Sequence, residues 1–280
     1  MRLRAARFFD NLVTMAPARY RSGMSTIREQ FEGQGYYFAE GVFDADEIAE
    51  LTDAFDRVVA QLNASDEDAN GRWTSAALDA IEGERPTTIT HSHMIHRYSA
   101  RWARAMFHPG FLGVARKILG ENIVLHHNKL FHKPPRRGSA FPVHQDWSYF
   151  PTEQDRMIAA IIHLTDATDE MGCVRVFPRS HRLGRLDNSD GTVPNALIDR
   201  DYPLERGVPM KARAGDVLFF HYCTLHGSRP NTSDRDRKTV LFQMHAAEDR
   251  VVPNSHPYDR TVLSGTNPHM TREIGNAAAV

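Results

Sequence analysis

The chain has 280 residues, 41% hydrophobic and 25% charged, which is ordinary globular composition with enough apolar material for one large core. A formal net charge of −1 gives no electrostatic reason to bind nucleic acid or an anionic membrane. Two cysteines, Cys173 and Cys223, are too few for the disulfide framework of a small secreted domain, and no apolar run is long enough to span a bilayer. A cytoplasmic protein, monomeric or homodimeric, with a small-molecule partner is the expectation.

In chain order, residues 1–29 form an N-terminal segment, of which 1–24 carry Arg2, Arg4, Arg7, Arg19 and Arg21 against the single acid Asp10. They read as a flexible tail, or as residues preceding a start at Met24, with order beginning near Gln30. Gly33 to Phe38 reads as a turn into a short strand. Asp44 is placed to cap a helix, with Glu47 three residues on. Ile48, Leu51, Phe55, Val58, Val59 and Leu62 then recur at helical spacing. Ser65 to Arg72 is a polar loop. Residues 93–118 read as one or two helices broken around Pro109-Gly110.

After Gly120 the pattern changes. Ile123 to Leu125, Leu130-Phe131, Ile158 to Leu164, Val174 to Phe177, Val217 to Phe220 and Val240 to Met244 are short apolar or alternating segments between Gly, Pro, Asn and Asp turns. That is an all-β pattern. The expected architecture is mainly β: a double-stranded β-helix (jelly roll, cupin-like) buttressed by N-terminal helices. It forms a single domain over 30–280, with a polar insertion loop at about 183–209. The tail from Arg250 reads as coil with a short helix.

Within that β region lies His144-Gln145-Asp146. Side chains two apart on a strand share a face, so His144 and Asp146 can grip one ion. His226, after the segment Gly215 to Phe220, can supply a third ligand from another strand. Two imidazoles and a carboxylate on one face of a metal leave the other positions open, which suits Fe(II) and O2. The cysteines cannot build a zinc cage. His126, His132, His163 and His221 are available as supporting groups.

Arg237 sits eleven residues beyond His226, with a turn at Asn231-Thr232-Ser233 between them. If His226 opens one strand and Arg237 the next, both reach one pocket. An arginine fork binds a carboxylate bidentately. Ser228, two beyond His226, adds a hydroxyl on the same face, and Arg235 is the competing arginine. Trp147, Tyr149 and Phe150 follow the triplet and can line the pocket mouth. Arg175 and His163 lie in apolar strands, where a polar group needs a partner. An anionic substrate group would serve.

These pieces resemble, in order, the phytanoyl-CoA dioxygenase (PhyH-like) family of Fe(II)/2-oxoglutarate-dependent oxygenases. The likeness runs from about Gln30 to Ala246. It takes in Asn128 to Pro135, His144 to Trp147, Asp166 to His181, Gly215 to Ser228 and Pro230 to Arg237. The resemblance implies a jelly-roll core, Fe(II) on His144, Asp146 and His226, 2-oxoglutarate on Arg237 and Ser228, and Lys129 facing the oxo acid or the substrate. It implies hydroxylation of an aliphatic C–H in a small polar or natural-product-like substrate, with release of succinate and CO2. The same cofactors also serve desaturation, epimerisation or ring formation. A non-catalytic jelly-roll binding protein and a metal enzyme without an oxo acid are the other readings. Relatives often carry Gly where this chain has Arg179, which leaves that turn open. Asp146 stands where halogenating relatives have a small residue, so halogenation is disfavoured.

Overall fold

The computed structural model describes residues 26–64, 71–72, 90–136, 138–187, 196–254, 256 and 258–276. Residues 1–25 of the expected tail, 65–70 of the polar loop and 188–195 of the insertion lie outside the described residues.

The first described element is a helix, α1 (Ile27–Gln34). Thr26 and Glu29 close its N-terminus as a reciprocal capping box, and Gly35 ends it in the left-handed region. Order therefore starts ahead of Gln30, inside the segment read as tail. Strand β1 (Tyr36–Ala39) follows. Helix α2 (Ala45–Ala64) buries Ile48, Leu51, Phe55, Val58 and Leu62 as the spacing predicts. Asp44 and Glu47 exchange backbone bonds at 2.9 and 2.8 Å across its first turn. Strands β2 (Gly71–Arg72) and β3 (Thr90–His93) pair with each other.

The expected helical stretch at 93–118 is three helices: α3 (Ile95–Tyr98), α4 (Ala100–Ala105) and α5 (Pro109–Leu119). Pro109 opens α5 rather than breaking it, because the first turn of a helix needs no proline N–H. His108 caps that turn through the Phe111 amide.

The remaining strands are β4 (Ile123–Lys133), β5 (Phe141–His144), β6 (Met157–His163), β7 (Val174–Val176), β8 (Val208–Pro209), β9 (Val217–His221), β10 (His226–Ser228), β11 (Arg237–Ala246) and β12 (Val262–Ser264). The short helices α6 (Ala196–Asp201) and α7 (Arg272–Asn276) complete the described elements. Two expectations change here. The insertion at 183–209 contributes β8, which pairs with β7, and the C-terminal segment contributes β12, which pairs with β4.

Eight strands form one sheet in the order β1-β9-β6-β11-β4-β3-β2, with β12 also on β4; four form the other, β5-β10-β7-β8. Every pairing is antiparallel, as a jelly roll requires. Alternation along β11 sorts the two faces of the large sheet. Val240, Phe242, Met244 and Ala246 enter the core formed with α1, α2, α4 and α5, where Phe111 packs 5.6 Å from Phe219 and 5.4 Å from Phe242. Arg237, Thr239, Leu241 and Gln243 face the space between the sheets. The helices thus seal one face, and the other face is left to build a cavity. No helix among the described residues is long and apolar enough to cross a membrane.

Candidate metal centre and oxo-acid pocket

His144 ends β5 and His226 begins β10, and the two are register partners in the small sheet. Their rings lie 4.2 Å apart. Asp146 is not on the strand with His144, contrary to the strand rationale for the pair. The chain leaves β5 at Gln145 and delivers Asp146 from a single 3-10 turn (Asp146–Ser148). That turn is held by the Asp146 amide, which donates to the Tyr222 carbonyl at 2.8 Å.

The ligand geometry follows. His144 Nε2 and His226 Nε2 each lie 3.7 Å from Asp146 Oδ1, and the three ligand atoms fall within 4.8 Å of one another. A cation with bonds of about 2.1 Å needs donors roughly 3–3.5 Å apart, so a small contraction closes the set. His144 Nδ1 donates to the Pro142 carbonyl at 2.8 Å, and His226 Nδ1 to the Thr224 carbonyl at 2.9 Å. These bonds fix the tautomers and leave both Nε2 lone pairs for a metal.

Burial lowers both imidazoles to about 4; for His144 the neighbouring His226 adds to it. Burial also raises Asp146, against the charges of His144 and Lys129. The imidazoles are therefore neutral ligands, not partners in ion pairs. Asp146 Oδ2 is buried without a hydrogen-bond partner. An orphaned carboxylate oxygen beside two lone pairs is what a divalent cation would satisfy.

The three donors open on a cavity of about 260 Å³ between the sheets. Arg237 lies at one end, buried, and burial lowers its pKa to about 10. Its Nη1 donates to the Gly172 carbonyl, its Nε is buried without a partner, and no carboxylate among the described residues lies within ion-pair range. Gly172 is required there: its φ is +67°, and a Cβ would stand 2.2 Å from the Arg229 carbonyl. Arg235, the competing arginine, is exposed, and its carbonyl closes the Asn231 turn instead. His226 opens β10 and Arg237 opens β11, as the spacing required.

Ser228 lines the cavity beside Arg237. Its Oγ accepts from Lys133 Nζ at 2.6 Å, leaving its own proton to donate onward. Lys133 was not foreseen. It is wholly buried, pairs in register with Arg237, and also donates to the Arg229 carbonyl at 2.7 Å. Extending the alternation from Lys129 through Phe131 would have found it.

The expected substrate contacts fare differently. Lys129 lines the cavity, with Nζ 5.4 Å from the Phe131 ring centre. Trp147 does not line it. Its indole donates to Gln145 Oε1 at 2.9 Å and carries the Arg185 guanidinium on its face, while Tyr149 and Phe150 form the wall. Arg175 points away from the cavity, because Val174 and Val176 take the inner face of β7. Its Nη2 binds both oxygens of Asp169 at 2.7 and 2.8 Å, and its Nη1 donates to the Gly207 carbonyl at 2.9 Å. His163 is tied to the Asp216 carbonyl and lies outside the lining. His132 bonds Asp236 at 2.5 Å and His221 bonds the Asp155 carbonyl at 2.7 Å, so neither serves the metal. His126 stacks on Tyr258 and bonds His127, which does line the cavity.

A β-helix with a His-Asp-His set at the mouth of its small sheet defines a jelly-roll metal enzyme of the oxygenase kind. Residues 31–239 match the family model described as phytanoyl-CoA dioxygenase (PhyH), and the chain belongs to that family. This is the class of iron- and 2-oxoglutarate-dependent oxygenases expected from the residues. The chain is 26% identical over 258 residues to a probable alpha-ketoglutarate-dependent hypophosphite dioxygenase of Stutzerimonas stutzeri, covering 88% of each. It is 24% identical to an ectoine dioxygenase of Bordetella bronchiseptica, covering 86% of this chain and 82% of that one. In fold it matches the crystal structure of the alpha ketoglutarate dependent epimerase SnoN from nogalamycin biosynthesis. The TM-score is 0.67 at 24% identity, over 82% of this chain and 85% of that one.

Proposed function

We propose that this chain hydroxylates an aliphatic C–H bond of a small polar molecule, consuming 2-oxoglutarate and O2 and releasing succinate and CO2. It acts as one domain, a cytoplasmic monomer or homodimer. One observation carries the reading: a neutral two-histidine, one-carboxylate set and a buried arginine with no anionic partner among the described residues share one cavity.

His144, Asp146 and His226 would hold Fe(II) through one ligand atom each. When bound, the iron supplies the means to couple decarboxylation of the oxo acid to oxidation of a C–H bond. The protein's own part is positioning and exclusion. Arg237 takes the distal carboxylate of the oxo acid in its fork, and Ser228, oriented by Lys133, donates its hydroxyl to the same group. Ile161, Val174, Phe220 and Leu241 give the cavity an apolar wall that keeps water from the reacting bond. A volume of about 260 Å³ falls just under the ~300–1,000 Å³ of drug-sized sites, which supports a small substrate. So do the relatives named for ectoine and hypophosphite.

Anaerobic titration with Fe(II) and 2-oxoglutarate tests this directly. The wild-type chain should develop the visible charge-transfer band of the chelate, and Asp146→Ala should lose it. Absence of the band from the wild type at saturating iron and oxo acid would refute the assignment.

A further inference from the structure

The inner face of the large sheet carries cationic groups at two separate levels. Arg237 is the register partner of Lys133, whereas Lys129 is the partner of Leu241, four residues further along each strand. At ~3.3 Å per residue the two levels are roughly 13 Å apart. A five-carbon diacid spans roughly 5 Å between its terminal carbons at ~1.5 Å per bond. Anchored on Arg237, it does not reach the backbone level of Lys129.

Lys129 is half-buried, and its exposed part faces the cavity. Among the described residues its ammonium makes no hydrogen bond and no ion pair; Phe131 offers only a ring face at 5.4 Å. The nearest acid acting on it is Asp146, which the metal claims. Burial draws Lys129 down to about 8, so it remains cationic at neutral pH.

His91, His127 and His256 line the same cavity, close enough to Lys129 for its charge to act on each, and with it form one lobe. Burial, followed for His91 by the charge of Lys129, keeps these imidazoles uncharged. His91 Nδ1 is buried without a partner. Among the described residues, the lobe therefore presents one positive charge ringed by neutral hydrogen-bonding groups, with no acid acting on it but the metal ligand Asp146. Burying a charge without a counter-charge is unfavourable. The complement is a negative group that arrives with a ligand.

We propose that this lobe is a subsite for an oxyanion of the primary substrate, a carboxylate, phosphonate or phosphinate group seated on Lys129 Nζ with His91 and His127 beside it. The proposal rests on the oxygenase reading for its claim that Arg237 is taken by the oxo acid. It reassigns Lys129 from cosubstrate to substrate.

The probes are propionate and hypophosphite, with propionamide as the neutral control, titrated calorimetrically. One arm uses protein holding Ni(II) and 2-oxoglutarate, and a second uses metal-free protein carrying Arg237→Met, so that the open arginine cannot hold the probe. The variants are Lys129→Met and Lys129→Arg. One charge-assisted hydrogen bond corresponds to about a tenfold preference or more. Both anions should bind the wild type that much tighter than propionamide. Lys129→Met should abolish the preference and Lys129→Arg should keep it, while 2-oxoglutarate affinity changes by less than about twofold.

A preference that survives Lys129→Met, an absent preference in the wild type, or a loss that falls on 2-oxoglutarate instead would overturn the proposal. The metal-free arm reads the Lys129 difference even if the iron chelate never forms, so the two failures are separable. Should Lys129→Met fail to fold, protection of Lys129 in the wild type against acetic anhydride decides the matter. Propionate should slow its acetylation and propionamide should not.

Discussion

Arg175 and Arg237 form an internal comparison. Both are arginines within apolar strands, on opposite sheets, and they are 5% and 4% exposed. Arg175 is closed by the protein itself. Asp169 takes Nη2 through both oxygens, the Glu205 and Gly207 carbonyls take Nη1, and Nε is left without a partner as it is in Arg237. Among the described residues, Arg237 receives one carbonyl from Gly172 and no carboxylate. Desolvating a guanidinium is unfavourable unless its donors are met. The first arginine is therefore a strut between β7 and the segment leading to β8, and the second is a receptor whose anion comes from solution. From sequence the two make the same demand for an anion. They differ in where the anion resides.

Substitutions can break or sharpen that contrast. The largest expected effect is on the receptor. Arg237→Met should weaken 2-oxoglutarate binding about 100-fold, as loss of a bidentate charged contact implies. It should leave thermal stability unchanged or slightly higher, because an unpaired buried charge is removed. Equal oxo-acid affinity in mutant and wild type would end the receptor reading. Arg175→Met should do the reverse. Oxo-acid affinity should hold, while denaturant unfolding shows a loss of about 2 kcal/mol. That is less than a fully buried pair would give, since Asp169 is a third exposed.

The smallest effect belongs to neither arginine. Arg179 occupies a turn at φ +67°, the left-handed region that favours glycine. The turn keeps the glycine-like shape, with the Arg179 amide donating to the Gln34 carbonyl at 2.7 Å. Arg179→Gly should relieve about 0.5–1 kcal/mol of left-handed strain. A lower unfolding midpoint for this variant would show that the Arg179 side chain contributes more than its backbone strain removes.

Much of the site was legible because its signals are local. Alternation around Lys129 and the positions of His226 and Arg237 at strand openings survive folding, whereas Asp146 joins His144 through a 3-10 turn rather than a shared strand face. What was misread depended on partners remote or disguised in sequence. Arg175 was assigned to substrate because Asp169 lies across a turn from it, where no periodicity links them. Trp147 was assigned to the pocket, but the 3-10 turn that delivers Asp146 rotates it away toward Arg185. Lys133 was missed because it ends a strand beside Pro134-Pro135, where a lysine reads as solvated. Strand β8 was hidden in a polar segment that supplies only two residues to the sheet.

By itself, the order of residues determined which side chains alternate toward the interior, where the strands open, and that two imidazoles and a carboxylate were available to one ion. These follow from backbone periodicity and ligand chemistry, which are properties of neighbouring residues. Only the tertiary structure decided which buried charges are met by the protein and which are left open. That balance depends on desolvation and on the approach of groups distant in the chain, and no local pattern encodes it.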